Sequence, residues 1–164
     1  MPLKLEGSCR CGAVSFSVTS HTPHPYQLCY CSICRKTAGG GGFAINIMGD
    51  SASLKITGED ALGLYRAEIC DDAGTCEASS GQRRYCTRCA SALWLYDPTW
   101  PDLVHPFASA IDTTLPVPPE RTHLMLRHKA SWVVPMVGPR DLSFDEYPQQ
   151  SIEDWHKTRG LWLD

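Results

Sequence analysis

The chain has 164 residues, 43% of them hydrophobic and 20% charged, which is ordinary for a soluble globular protein and long enough for one domain with a real core. A formal net charge of −3 argues against nucleic acid or an anionic membrane surface as partner. No apolar run approaches the roughly 20 residues of a bilayer span. The start, Met1-Pro2-Leu3-Lys4-Leu5-Glu6, lacks the basic and apolar stretches of a secretory signal, so a cytoplasmic location is expected.

Short alternating segments separated by Gly, Pro, Asp and Ser predict a mainly β chain. Residues 13–19 alternate Val14, Phe16 and Val18 with polar neighbours and predict a strand. Residues 32–38 predict one or two helical turns, ended by Gly39 in a left-handed position. Strands are then predicted over 43–48 and 53–57, joined around Gly49-Asp50, and over 62–68. Residues 70–81, rich in Asp, Ala, Gly and Ser, read as a loop. Further strands follow over 82–85, 92–96, 103–111 and 123–127, the last extended by 132–134. Pro116-Val117-Pro118-Pro119 reads as a stiff surface connection. Ser151-Ile152-Glu153-Asp154 resembles a capping signature and predicts a short helix through Lys157.

The nine cysteines carry the chemistry. Their odd number and the reducing compartment argue against a disulfide framework. Seven fall into three knots: Cys9-Arg10-Cys11, Cys29-Tyr30-Cys31-Ser32-Ile33-Cys34 and Cys86-Thr87-Arg88-Cys89. Cys9 and Cys11 precede a strand, with Gly12 to permit the turn of a metal knuckle. Cys86-x-x-Cys89 lies between two predicted strands. Together these four thiolates predict a closed structural zinc site. Cys29, Cys31 and Cys34 supply only three ligands, and catalytic zinc typically has three protein ligands plus an open position. The competing reading closes this site with Cys70, Cys76 or a histidine, giving a non-enzymatic module with two structural zincs. An iron–sulfur cluster fits the spacing less well.

Gly39-Gly40-Gly41-Gly42 would let backbone approach a ligand at the metal, or would simply stop the helix and form a loop. His21, His24, His105, His123, His128 and His156 form no H-x-x-H or H-E-x-x-H set and read as core or surface residues. Arg35, Lys36, Arg83 and Arg84 are candidates to hold substrate carboxylates.

Gly7-Ser8-Cys9-Arg10-Cys11-Gly12-Ala13-Val14, then Cys29-x-Cys31-x-x-Cys34 followed by Gly39, then Tyr85-Cys86-Thr87-Arg88-Cys89, and the late His123-Leu124 with Lys129 and Trp132, resemble the glutathione-dependent formaldehyde-activating enzyme family. An animal centromere-associated protein shares that domain. The resemblance spans residues 3–135 and leaves 136–164 as a C-terminal extension packed on the same domain. It departs from the family pattern at Ala90, where the family usually has glycine.

The resemblance implies a small, zinc-stabilised, mainly β fold of the Mss4-like (β-tent) type. It implies Cys9, Cys11, Cys86 and Cys89 as structural zinc ligands. Cys29, Cys31 and Cys34 become ligands of a second, labile, catalytic zinc. It further implies a carbon–sulfur lyase acting on a small thiol such as glutathione and a small aldehyde, yielding S-hydroxymethylglutathione.

Overall fold

A computed structural model describes residues 1–164. In chain order its strands are β1 (Leu3–Ser8), β2 (Ser15–Ser20), β3 (Gln27–Cys29), β4 (Ala44–Ile45), β5 (Gly49–Asp50), β6 (Lys55–Thr57) and β7 (Leu62–Tyr65). They continue with β8 (Glu68–Cys70), β9 (Cys76–Ala78), β10 (Gln82–Cys86), β11 (Ala92–Tyr96), β12 (Leu103–Pro106), β13 (Thr122–Leu124) and β14 (Leu142–Ser143). The helices are α1 (Ser32–Ala38) and α2 (Ile152–Thr158). The chain is mainly β, as its alternation predicted, and no helix is long and apolar enough to cross a membrane.

Three sheets position the cysteines. β1 and β2 form an antiparallel hairpin with β6 beside β2. Strand alternation turns Leu5, Phe16 and Val18 inward, where they meet Leu93, Trp94 and Val104 of the five-stranded sheet β5-β12-β11-β10-β7. Phe16 meets Trp94 edge to face at 5.0 Å between centroids. Cys9 and Cys86 lie in this same buried cluster. The third sheet, β14-β13-β3-β4, pairs β3 with β13 in parallel, Cys29 lying opposite Leu124.

Several local expectations are corrected. The chain starts with strand β1, which its charged residues disguised. Residues 43–48 form only the short β4 before the chain bends, and residues 53–57 give β6. These two do not pair with each other: β5, containing Gly49-Asp50, pairs with β12, and β6 joins β2. Gly39 has φ −134°, so it is not left-handed. Its need for glycine is steric, since a Cβ there would sit 2.1 Å from the Phe43 carbonyl oxygen. Residues 132–134 form no strand.

The segment 70–81 is not a loop. β8 and β9 form an exposed hairpin, and Cys70 is disulfide-bonded to Cys76 across it. An isolated two-stranded ribbon is marginal in water, and the cross-link compensates for its small buried area. The other seven cysteines are unpaired, so there is no disulfide framework, but Cys70 and Cys76, weighed above as ligands for the second metal, bond to each other instead.

Residues beyond β13 run along the third sheet and return. The Asp141 carboxylate accepts from Gly138 N–H and Arg121 N–H, both at 2.8 Å. Asp141 also faces Nε2 of buried His123 at 3.2 Å, while Nδ1 of that ring meets the Tyr30 hydroxyl at 2.8 Å. Asp141 is held below the usual carboxylate range: its backbone donors, then His123, outweigh burial. A carboxylate only accepts, so His123 Nε2–H donates to it and Tyr30 O–H donates to Nδ1. α2 then docks through Trp155, stacked on Tyr26 at 3.7 Å between centroids, and through the Arg159–Glu120 ion pair.

Candidate metal centres and the adjoining cavity

The knots form two sulfur clusters, Cys9/Cys11/Cys86/Cys89 and Cys29/Cys31/Cys34, with the sulfurs of each within 4.8 Å of one another. The first joins two similar turns. Between β1 and β2, Gly12 takes φ 79° and donates to the Cys9 carbonyl at 3.1 Å. Between β10 and β11, Ala90 takes φ 61° and donates to the Cys86 carbonyl at 2.8 Å. Each turn brings its two thiols to one side.

The sulfurs of Cys9 and Cys11 are 3.6 Å apart, and those of Cys11 and Cys86 3.8 Å. Val14 N–H donates to Cys9 Sγ at 3.2 Å. Ser91 Oγ lies 3.2 Å from Cys89 Sγ and also accepts from Arg10 N–H at 3.0 Å, so one hydroxyl connects the two turns. The Ser91 hydroxyl and N–H, with the Cys11 backbone, push the Cys89 thiol down to about 5. That favours the thiolate, the form that binds metal.

The second cluster arises where β3 runs into α1. Cys29 ends the strand, Cys31 is the helix N-cap, and Cys34 lies in the first turn. Cys31 Sγ accepts from Cys34 N–H at 3.3 Å. Hydrogen bonds from the Cys29 and Cys34 thiols, then from the Cys34 and Ile33 N–H groups, push Cys31 down to about 2 against the effect of burial. Cys29 is pushed up by the same contacts and by burial. Cys31 Sγ thus sits at a helix start, where N–H groups favour negative charge.

Nothing else in the protein closes this trio. Cys70 and Cys76 are bonded to each other, and no histidine or carboxylate joins the group. The three cysteines instead line a cavity of about 420 Å³ with residues of the β8–β9 hairpin, the five-stranded sheet and the C-terminal segment.

Of the four basic candidates only Arg83 reaches this cavity. Its guanidinium donates to Thr37 Oγ1 at 3.3 Å and lies 3.6 Å from Cys34 Sγ. It therefore neutralises thiolate charge. Arg84 lines a different cavity beside Trp94. The four glycines do not line it either; a Cβ on Gly42 would press into Val133 at 2.4 Å. The helix-stop reading of that run holds. His123 and His156 are core residues, as expected of the histidines, whereas half-buried His105 faces the cavity. Sequence reasoning missed His105, Trp100 and Tyr147, because single residues in weakly patterned segments carry no motif.

Paired knuckles closing four sulfurs, with three more set in a cavity, define a β protein with two metal-capable sulfur centres. The sequence profile described as "Glutathione-dependent formaldehyde-activating enzyme" matches residues 4–126. A Halomonas elongata protein named "Putative glutathione-dependent formaldehyde-activating enzyme" is 57% identical over 157 residues, covering 96% of this chain and 97% of the relative. A crystal structure of a Rhodobacter sphaeroides protein shares the fold, with TM-score 0.51 and 21% identity, over 68% of this chain and 91% of that one. The chain belongs to the glutathione-dependent formaldehyde-activating enzyme family.

Proposed function

We propose that this protein joins a small thiol, glutathione in the first instance, to formaldehyde or another small aldehyde, giving the S-hydroxyalkyl thiol, and acts as a carbon–sulfur lyase in reverse. The observation that carries this reading is the Cys29/Cys31/Cys34 trio, three converging sulfurs without a fourth protein donor, opening into a cavity. A closed structural site would have no such opening.

Both clusters fit zinc. With Zn–S near 2.3 Å, a tetrahedron has S···S edges of about 3.8 Å, and 3.6 and 3.8 Å are found in the first cluster. All-sulfur donor sets suit zinc in general. We assign Cys9, Cys11, Cys86 and Cys89 to a structural zinc, and Cys29, Cys31 and Cys34 to a second, labile zinc, two per chain. Residues 3–135 would form the zinc-binding domain and 136–164 its extension. Seven unpaired cysteines grouped as metal ligands suit reducing surroundings, which supports the cytoplasm as the location, and the exposed Cys70–Cys76 pair is the one feature that argues against it.

Zinc held by the trio would favour the thiolate of an incoming thiol. The chain's own groups set the rest. Arg83 offsets the negative charge that three thiolates concentrate. The apolar walls, among them Ile33, Leu95, Leu124 and Ile152, strip water from the reacting atoms, which strengthens the remaining electrostatic contacts. Holding thiol and aldehyde together converts an encounter of two reactants into one step in a complex.

The test is exchange NMR on glutathione and ¹³C-formaldehyde, with metal content measured on the same sample. Adduct formation should be faster than the spontaneous rate and should return to it in Cys29→Ser. A flat rate with two zinc ions per chain overturns the enzyme reading in favour of a zinc module.

A further inference from the structure

The matched family profile ends at residue 126, yet Tyr147, Pro148, Gln150, Ser151 and Ile152 line the cavity that holds the three sulfurs. This strap is fixed on both sides of Tyr147. Upstream, Phe144 N–H donates to the His123 carbonyl at 2.8 Å, and Met125 N–H donates to the Glu146 carbonyl at 3.0 Å. Downstream, Ser151 caps α2 through Asp154 N–H at 3.0 Å, and buried Trp155 anchors the helix. The side chain between these anchors is nonetheless 69% exposed. A large aromatic is therefore held at the cavity rim by its backbone, with its ring uncommitted to the core.

An aldehyde oxygen becomes negative as a thiolate adds to its carbon, and a donor aimed at that oxygen lowers the barrier. Gln27, Asn46, Trp100 and His105 also line the cavity, while several of its other polar groups are committed or of the wrong kind. Arg83 is engaged with Thr37 and Cys34. Asp97 only accepts, from Ser80 and Thr99. Ser151 donates to Asp154, and Gln150 to Thr158. The Tyr147 phenol enters none of these networks, and Tyr147 lines the same cavity as all three sulfurs and Arg83. A phenol ordinarily titrates near pH 10, so at neutral pH the oxygen keeps its proton and can donate.

Resting on the function proposed above, we infer that Tyr147 is a catalytic residue that donates a hydrogen bond to the aldehyde oxygen during addition. The thiol loses its proton to solvent on binding. The thiolate lone pair forms the C–S bond while the C=O π pair moves onto oxygen. The alkoxide, held by the phenol O–H, takes a proton from water, and the phenol emerges unchanged. The strap thus supplies an oxyanion donor from outside the matched family core.

Tyr147→Phe isolates the hydroxyl, because it keeps the ring and touches an exposed side chain. In the zinc-loaded full chain kcat should fall about 100-fold, the lower end of the range for losing one oxyanion donor. The glutathione Kd, zinc content and Tm should match wild type. Wild-type kcat in Tyr147→Phe, whether or not Tyr147→Ala is impaired, reduces the residue to a wall and overturns the inference while leaving the proposed function intact. A loss confined to glutathione Kd, with kcat preserved, overturns it too. If wild type itself fails to accelerate adduct formation, the parent reading fails and takes this one with it.

Discussion

Ala90 shows what one residue's backbone reveals. The turn after Cys89 needs a left-handed residue, as Gly12 is in the matching turn, and here an alanine occupies it at φ 61°. Glycine suits this turn better for a steric reason: Cβ crowds the carbonyl in that conformation, costing on the order of 1–2 kcal/mol. Glycine's extra freedom in the unfolded chain returns part of that gain. Ala90→Gly should therefore stabilise the protein by about 0.5–1 kcal/mol in urea unfolding with zinc retained. A neutral or destabilising result would mean that the turn tolerates alanine without strain.

At the scale of an element, α2 carries a pH dependence. His156 is wholly buried, and both ring nitrogens are used. Nδ1 lies 2.8 Å from the Ile152 carbonyl and Nε2 accepts from His24 N–H at 3.4 Å. A second proton on the ring would break the latter bond. Burial, with smaller contributions from His24 and Arg159, pushes the His156 pKa down to about 4, below the roughly 6.5 of an unfolded chain. As pH falls below about 6.5 the unfolded chain takes a proton that the folded chain refuses, so stability is lost between about pH 6.5 and 4. By pH 5 this amounts to about 2 kcal/mol. His156→Gln should show a shallower fall of Tm from pH 7 to 5 than wild type, and parallel slopes would contradict the account. The comparison cancels metal loss common to both.

For the whole molecule, the two clusters predict different failures. Cys86 is fully buried in the cluster that joins the β1–β2 hairpin to the five-stranded sheet. With the proposed structural zinc bound there, its loss would remove on the order of 10 kcal/mol. Cys86→Ser should fail to fold cooperatively, by circular dichroism melting. Cys34→Ser should fold, bind one zinc fewer and lose activity. If Cys34→Ser unfolds as badly as Cys86→Ser, the trio is structural and the proposed chemistry loses its basis. Short-range pattern was enough for much of this. C-x-C and C-x-x-C spacing brings two thiols together within one turn, strand alternation announced β2 and β11, and Ser151 announced α2. Those signals are local, and local geometry follows from neighbouring residues. Whether the trio stays open depended on contacts remote in sequence. Cys70 and Cys76 are drawn away because β8 and β9 pair, and Tyr147 reaches the cavity because Asp141 and Trp155 dock the strap against β13 and Tyr26. The sequence alone thus determined which cysteines gather and in what groups. Only tertiary packing decided that three of them face a cavity, because a missing ligand and a remote wall are properties of space around a site and leave no spacing in the chain.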